Sequence, residues 1–310
     1  MKVIALAGGV GGAKLVCGFA QILKPGDLSV IVNTGDDFEH YGLYICPDLD
    51  TICYSLANLS NPLTGWGREN DSYQSLEEAI KLGGPDWFRI GNKDIGTHLE
   101  RTRRLKAGQK LSNITLDFCE AWGINTRVYP MTDDRVSTTL VTAEKEELPF
   151  HEYFVHQKSQ PVIKAIKFSG IEKAEPIPEI MDAFVEASLV VICPSNPWVS
   201  IDPILNIMGI KKMMVNKKVI AVSPIVQGNA LKGPAAKMFF ELGIDPSAEA
   251  VFDHYQELLS GFVFDQLDII LKSSFDEKGI NSFITDTIMK DLSDKVRLAN
   301  EILNYSNTIY

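Results

Sequence analysis

Apolar positions along the chain fall into unbroken runs and helical stripes. Val3-Ile4-Ala5-Leu6-Ala7 is a continuous run closed by Gly8-Gly9, Ala13 to Leu23 carries helical spacing, and Leu28 to Val32 is a second run. This order predicts a βαβ unit. A strand that is apolar at every position is buried on both faces, the condition of a parallel sheet covered by helices above and below. Leu189 to Cys193 and Val219 to Ser223 repeat the pattern, each ending in a proline and a polar loop, and predict two further central strands. The predicted fold class is α/β: a Rossmann-like, mostly parallel sheet with helices on both faces and a smaller, partly helical insertion.

Between these halves the pattern changes. A Gly/Asn/Pro-rich loop, Asn61 to Asn70, is followed by helical segments near Ser75 to Leu82, Asp94 to Lys106 and Ser112 to Trp122. Thr126 to Tyr129 and Val136 to Thr142 alternate more and carry Thr and Val, which predicts an antiparallel or edge addition to the sheet. Residues 1–60 and 161–310 are thus assigned to a nucleotide-binding core and 61–160 to an insertion or lid. The last third reads as helix-rich, ending in a segment from Asp291 whose Leu292, Val296, Ala299, Ile302 and Leu303 share one face.

Composition narrows the function classes. The 310 residues, 45% hydrophobic and 23% charged, are enough for a large core. A net charge of −10 opposes a nucleic-acid backbone. The densest basic stretch, Arg101, Arg103, Arg104, Lys106 and Lys110, reads as a solvated helix face. The five cysteines contain no C-x-x-C pair, so neither a disulfide framework nor a zinc site is expected, and a reducing cytoplasm fits. No apolar stretch approaches the roughly 20 residues of a membrane span, and the amino-terminal run is too short for a secretory signal. No nucleic-acid or membrane partner is expected.

Chemistry concentrates in the loops after the apolar runs. Gly8-Gly9-Val10-Gly11-Gly12-Ala13-Lys14 lies between strand and helix, where bare N–H groups attract anions, although tight packing of strand on helix calls for glycine too. The dinucleotide fingerprint fails because Lys14 stands at its third glycine, and a Walker loop fails because Ala13 and Leu15 occupy its second glycine and hydroxyl positions. Lys14 either counters phosphate charge or lies on a helix surface. In Asn33-Thr34-Gly35-Asp36-Asp37, Asp36 or Asp37 either holds Mg²⁺ or a ribose hydroxyl, or belongs to an Asx-type turn. Pro47-Asp48-Leu49-Asp50-Thr51 puts Asp50 at a natural N-cap. Acidic positions after a phosphate loop are also what a Mg²⁺-dependent phosphoryl transfer needs, so Asp36, Asp37 and Asp50 are the candidate metal ligands. Pro194 to Ile201 and Ser223 to Pro234 are rich in hydroxyls, amides and glycine, and with Gly9, Gly11 and Gly12 they make Ser195, Asn196, Asn229, Lys232 and Gly233 the candidate nucleotide-binding residues. Pro234 fits N1 of the next helix. His151 and His156 are off the i, i+4 face of a zinc helix, and no Gly-x-Ser-x-Gly elbow accompanies them.

Taken together, Gly8 to Lys14, Asn33 to Asp37, Pro47 to Thr51, Pro194 to Ile201 and Ser223 to Pro234, in that order, resemble the 2-phospho-L-lactate transferase family, which makes coenzyme F-420. The resemblance covers nearly the whole chain. It implies transfer of 2-phospholactate from lactyl-2-diphospho-5'-guanosine to the ribityl hydroxyl of 7,8-didemethyl-8-hydroxy-5-deazariboflavin, with release of GMP, a Mg²⁺ requirement and a homodimer. In such enzymes an aspartate and an arginine hold the deazaflavin, and they appear here as Asp50 and Arg89. Arg89, beside Trp87 and Phe88, suits a flat heteroaromatic ring, and Asp50 is the candidate catalytic residue, accepting the hydroxyl proton. The alternative is a non-enzymatic nucleotide-sugar-binding regulator of the same fold group, from which the segment Trp87 to Gly91 separates this chain.

Overall fold

A computed structural model describes residues 1–309. The first half runs β1 (Val3–Ala7), α1 (Gly9–Ile22), β2 (Leu28–Val32), the hairpin β3 (Phe38–His40) and β4 (Leu43–Ile45), then α2 (Pro47–Leu56), α3 (Gln74–Lys81), α4 (Asn92–Lys106) and α5 (Leu111–Ala121). It continues through β5 (Arg127–Pro130), β6 (Ser137–Thr142), β7 (Glu147–Pro149) and β8 (Ile163–Ser169). The second half holds α6 (Pro178–Glu186), β9 (Leu189–Ile192), α7 (Asp202–Asn206), α8 (Ile210–Met214) and β10 (Lys218–Val222). After the short hairpin β11 (Ile225–Val226) and β12 (Asn229–Ala230) come α9 (Ala235–Glu241), α10 (Ala248–Tyr255), β13 (Gly261–Asp265), α11 (Lys272–Glu277), β14 (Ser282–Thr285) and α12 (Leu292–Ser306).

Seven strands form one sheet in the order β14-β13-β10-β9-β1-β2-β5, with every neighbouring pair parallel. The chain steps outward from β1 to β2 to β5, then returns to the other side of β1 and steps outward again from β9. The gap between β1 and β9 is therefore the switch point at which the loops diverge and a crevice opens. Side chains alternate across each strand. Val3, Ala5 and Ala7 pack with Leu15, Phe19, Ile52, Leu298 and Ile302 on one face. Ile4 and Leu6 pack with Phe184, Ile204, Phe239 and Phe275 on the other, which is why β1 is apolar at every position.

The α/β class follows the sequence expectation, but residues 61–160 do not form one separate insertion. α3, α4 and α5 lead into β5, which pairs in parallel with β2 and is the edge strand of the main sheet. β6, by contrast, joins β7 and β8 in a separate antiparallel sheet. Two strands, β13 and β14, also lie in the last third that reads as helix-rich, because Gly261-Phe262-Val263-Phe264-Asp265 is short and ends in a charge.

Glycine is needed at the head of α1 for packing. A Cβ on Gly11 would stand 2.1 Å from the Pro194 carbonyl oxygen, and one on Gly12 would stand 2.6 Å from Ser195 Oγ. Gly11→Ala is therefore expected to cost about 1–3 kcal/mol through overpacking. Gly96→Ala, exposed in α4 with open space around its Cβ, is expected to gain up to about 1 kcal/mol. Denaturant midpoints of the two variants check both values.

Candidate active site

Hydrogen bonds tie the loops together at the base of the switch point. Ser195, buried at the end of β9, donates through Oγ to the Gly8 carbonyl at 2.7 Å and accepts from Gly8 N–H at 3.1 Å. Asp48 reaches across from α2, its Oδ1 accepting from Gly9 N–H at 2.7 Å and its Oδ2 from Asn33 Nδ2 at 2.9 Å. Asn33 is itself fully buried and also donates to the Val199 carbonyl at 3.1 Å. A carboxylate thus already sits at the positive end of α1, the place the sequence offers to a phosphate. Asp48 carries no sequence signal beyond its place beside Asp50.

The other expected nucleotide residues come to the same edge with mixed freedom. Asn196 Oδ1 accepts from Trp198 N–H at 3.0 Å and caps the π-helical turn Pro197–Ile201, while its Nδ2 faces Met238. Asn229 is exposed on β12 and folds back to the Gln227 carbonyl, in a hairpin turned by Gln227 and Gly228, both at positive φ. Lys232 Nζ donates to the Thr64 carbonyl at 2.7 Å, and a Cβ on Gly65 would stand 2.6 Å from Val10 and 3.3 Å from Lys232 Nζ. The 61–70 loop therefore lies against both the glycine loop and the Lys232–Gly233 segment. Lys14 Nζ donates to the Met289 carbonyl; burial, then the charges of Lys232 and Lys295, lower its pKa. Pro234 is the N-cap of α9, one position before the expected N1.

Acid groups gather beside this seam. Asp36 Oδ1 and both oxygens of Asp37 are buried without a hydrogen-bond partner. Burial first, then the charge of Asp48, pushes Asp36 well above the usual carboxylate range, and burial does the same to Asp37. Asp48 is pushed up to about 6 by burial, which the bonds from Asn33 and Gly9 partly offset.

Asp50 differs from expectation in two ways. Cys46 is the N-cap of α2 and Pro47 its first residue, so Asp50 lies inside the first turn. Its carboxylate is gripped by Arg101, with Nη1 donating to Oδ2 at 3.1 Å and Nη2 to Oδ1. Arg101 is 3% exposed and not part of a solvated helix face. Its face of α4 also carries Asp94 and His98, at i−7 and i−3, and these positions were invisible to a reading by charge density. Asp94 accepts from the Tyr54 hydroxyl at 2.7 Å and is pushed up to about 6 by burial. His98 Nδ1 lies 3.6 Å from Asp50, and burial lowers its pKa to about 4.

Among the described residues, no three acidic, histidine or cysteine side chains meet at a point that could hold a metal. The trio Asp36, Asp37 and Asp50 is thus not preassembled, since Asp50 turns to Arg101. The bare oxygens of Asp36 and Asp37 still fit a hard cation, because Mg²⁺ commonly takes one or two carboxylates and completes its shell with water and phosphate.

Arg89 is exposed and stacks over Tyr73 at 4.2 Å, away from its sequence neighbours. Trp87 and Phe88 instead pack in an aromatic wall with Phe38, His40 and His151, where Phe38 and His151 stack at 4.1 Å. Burial lowers His151 to about 4 and leaves it neutral.

A seven-stranded Rossmann-like sheet with its polar loops gathered at the switch point defines an α/β protein of the doubly wound class, whose members place ligands at that edge. The chain belongs to the family described as 2-phospho-L-lactate transferase CofD, which it matches over residues 3–269. It is 37% identical to the 2-phospho-L-lactate transferase of Methanocaldococcus jannaschii, over 99% of each chain. It is 36% identical to the phosphoenolpyruvate transferase of Streptomyces coelicolor, over 100% of this chain and 99% of that protein. A protein of the UPF0052 family from Bacillus halodurans shares the fold, with a TM-score of 0.63 at 15% identity over 97% of this chain and 98% of that one. No described helix is long and apolar enough to cross a membrane.

A carboxyl whose pKa is higher folded than unfolded binds its proton more tightly in the native state. Its contribution to stability is then lost as pH rises from the unfolded value through the folded one. With Asp48 pushed up to about 6 and Asp36 and Asp37 held well above the usual carboxylate range, the metal-free protein is expected to melt lower at about pH 8 than at about pH 5. Asp36→Asn is expected to flatten that slope, as thermal melts across the range will show.

Proposed function

We propose that the protein transfers the 2-phospholactate group of lactyl-2-diphospho-5'-guanosine to the ribityl hydroxyl of 7,8-didemethyl-8-hydroxy-5-deazariboflavin, releasing GMP, in coenzyme F-420 biosynthesis. The observation that carries this reading is the end-to-end kinship with 2-phospho-L-lactate transferases, 37% identical over 99% of each chain in one case. The loops that bear the resemblance lie at one edge of the sheet, which supports it further.

In this reading the hydroxyl oxygen attacks the lactate-bearing phosphorus, the bond from that phosphorus to the bridging oxygen breaks so that GMP leaves with the oxygen, and the hydroxyl proton passes to Asp50. Gly9, Gly11, Gly12, Ser195 and Asn196 shape the floor of the donor site. Lys14 and Lys232 answer the diphosphate charge, and Asn229 and Gly233 close over the nucleotide. Asp50 keeps lone pairs free beside its bonds to Arg101 and accepts the hydrogen bond of the ribityl hydroxyl, orienting it for attack. Asp36 and Asp37 would hold Mg²⁺, which when bound neutralises charge on the diphosphate. Arg89 meets the deazaflavin ring system in exchange for Tyr73. A homodimer in the cytoplasm completes the reading.

The relatives carry two names, phosphoenolpyruvate transferase and 2-phospho-L-lactate transferase, at nearly equal identity. The two acids differ in a three-carbon chain, and turnover with each guanosine diphosphate donor decides between them.

The test is a fluorescence titration with the deazaflavin, with and without GDP. Saturable binding that Arg89→Ala weakens by about tenfold or more is expected, since a hydrogen bond from a charged group is worth about 1.5–3 kcal/mol. GDP binding without deazaflavin binding would move the protein to the nucleotide-sugar regulators. Chelation of divalent cations is expected to abolish turnover, Mg²⁺ to restore it, and Asp36→Asn to raise the Mg²⁺ concentration required. Turnover that persists in excess chelator would remove the metal.

A further inference from the structure

Buried arginine is costly unless its guanidinium is well answered, and both terminal nitrogens of Arg101 find partners. Its two terminal nitrogens grip Asp50, Nη1 also lies 3.3 Å from the Tyr44 carbonyl oxygen and 3.2 Å from His98 Nδ1, and Phe118 lies under the guanidinium at 5.9 Å. A bidentate grip fixes the plane of a carboxylate, which a single ammonium cannot do.

The helix that carries Arg101 is itself held at its other end. Asp71 caps α4 by accepting from the backbone N–H of Lys93 at 2.8 Å and of Asp94 at 3.2 Å. The Tyr54 hydroxyl, one turn beyond Asp50 on α2, donates to Asp94. Asp50 and Tyr54 of α2 therefore engage Arg101 and Asp94 of α4 in register. The N-cap of α4 is Gly91, two residues after Arg89. One polar seam thus sets the plane of the Asp50 carboxylate and ties to it the segment that bears Arg89.

We propose that Arg101 is a positioning residue for the acceptor site: it orients Asp50 toward the deazaflavin and holds the Arg89 segment in register with it. This rests on the reading of Asp50 and Arg89 as the deazaflavin-binding pair. Arg101 does not touch the acceptor; it acts through Asp50, as outer-shell partners orient the groups that do bind.

The experiment combines a deazaflavin fluorescence titration, a GDP titration, steady-state kinetics and a thermal melt for Arg101→Met, Arg101→Lys, Asp50→Asn and the Asp50→Asn/Arg101→Met double variant. Arg101→Met is expected to weaken deazaflavin binding by about 10–100-fold and to raise the acceptor KM more than it lowers kcat, with GDP affinity within about twofold of wild type. Arg101→Lys, which keeps the charge and loses the fork, is expected to restore part of the loss. In the Asp50→Asn background the further loss is expected to be under about twofold, because the two residues act as one unit.

The double variant also removes the unpaired buried charge, so the comparison survives if Arg101→Met folds poorly. Wild-type deazaflavin affinity in Arg101→Met, with Asp50→Asn impaired, would overturn the proposal. Equal losses of deazaflavin and GDP binding with a lowered melting temperature would overturn it too, leaving a purely structural role. A wild-type protein that binds GDP and no deazaflavin would instead overturn the reading of the acceptor site on which the proposal stands.

Discussion

Buried negative charge at the carboxyl edge of the sheet is the constraint to which the rest of this structure responds. Asp36, Asp37, Asp48 and Asp50 are each at most 7% exposed, and the buried guanidinium of Arg101 pairs with Asp50. Charge that cannot reach water must be paired, protonated or given to a cation. The chain uses the first two devices openly: Asp50 is paired, while Asp36, Asp37 and Asp48 hold their protons more tightly than a free carboxyl would. The third device is the one we propose for the orphaned oxygens of Asp36 and Asp37, which a Mg²⁺ ion would answer.

The same edge explains the glycine loop. Its residues meet Pro194 and Ser195 so closely that side chains would collide, and the Ser195 hydroxyl bonds the Gly8 peptide from both sides. Packing and ligand binding therefore do not compete as explanations. The close approach of β1 and β9 through these glycines forms the floor of the crevice, and the loops above it supply the polar groups.

Kinship and fold speak at different resolutions here. The UPF0052 protein from Bacillus halodurans shares the architecture at 15% identity, and such a likeness reports the fold alone. Membership of the 2-phospho-L-lactate transferase family rests on the chain itself, matched over residues 3–269. Between α2 and β5, α4 brings Arg101 onto Asp50, and Trp87 joins the aromatic wall.

The sequence by itself determined the α/β class, the positions of β1, β2, β9 and β10, and the loops that gather at the switch point, because continuous apolar runs and glycine clusters report local burial and backbone geometry directly. It also carried the family resemblance in ordered motifs. Only the tertiary structure decided that Arg101 is buried while Arg103 of the same helix is exposed, since residues two apart on a helix point about 200° apart and their burial depends on which face another element covers. Tertiary structure likewise decided that Asp48 reaches the head of α1, that Asp50 turns to Arg101, and that β5 returns to the main sheet while β6 leaves it. Each of these depends on a partner distant in the chain, and pairing at a distance leaves no local pattern to read.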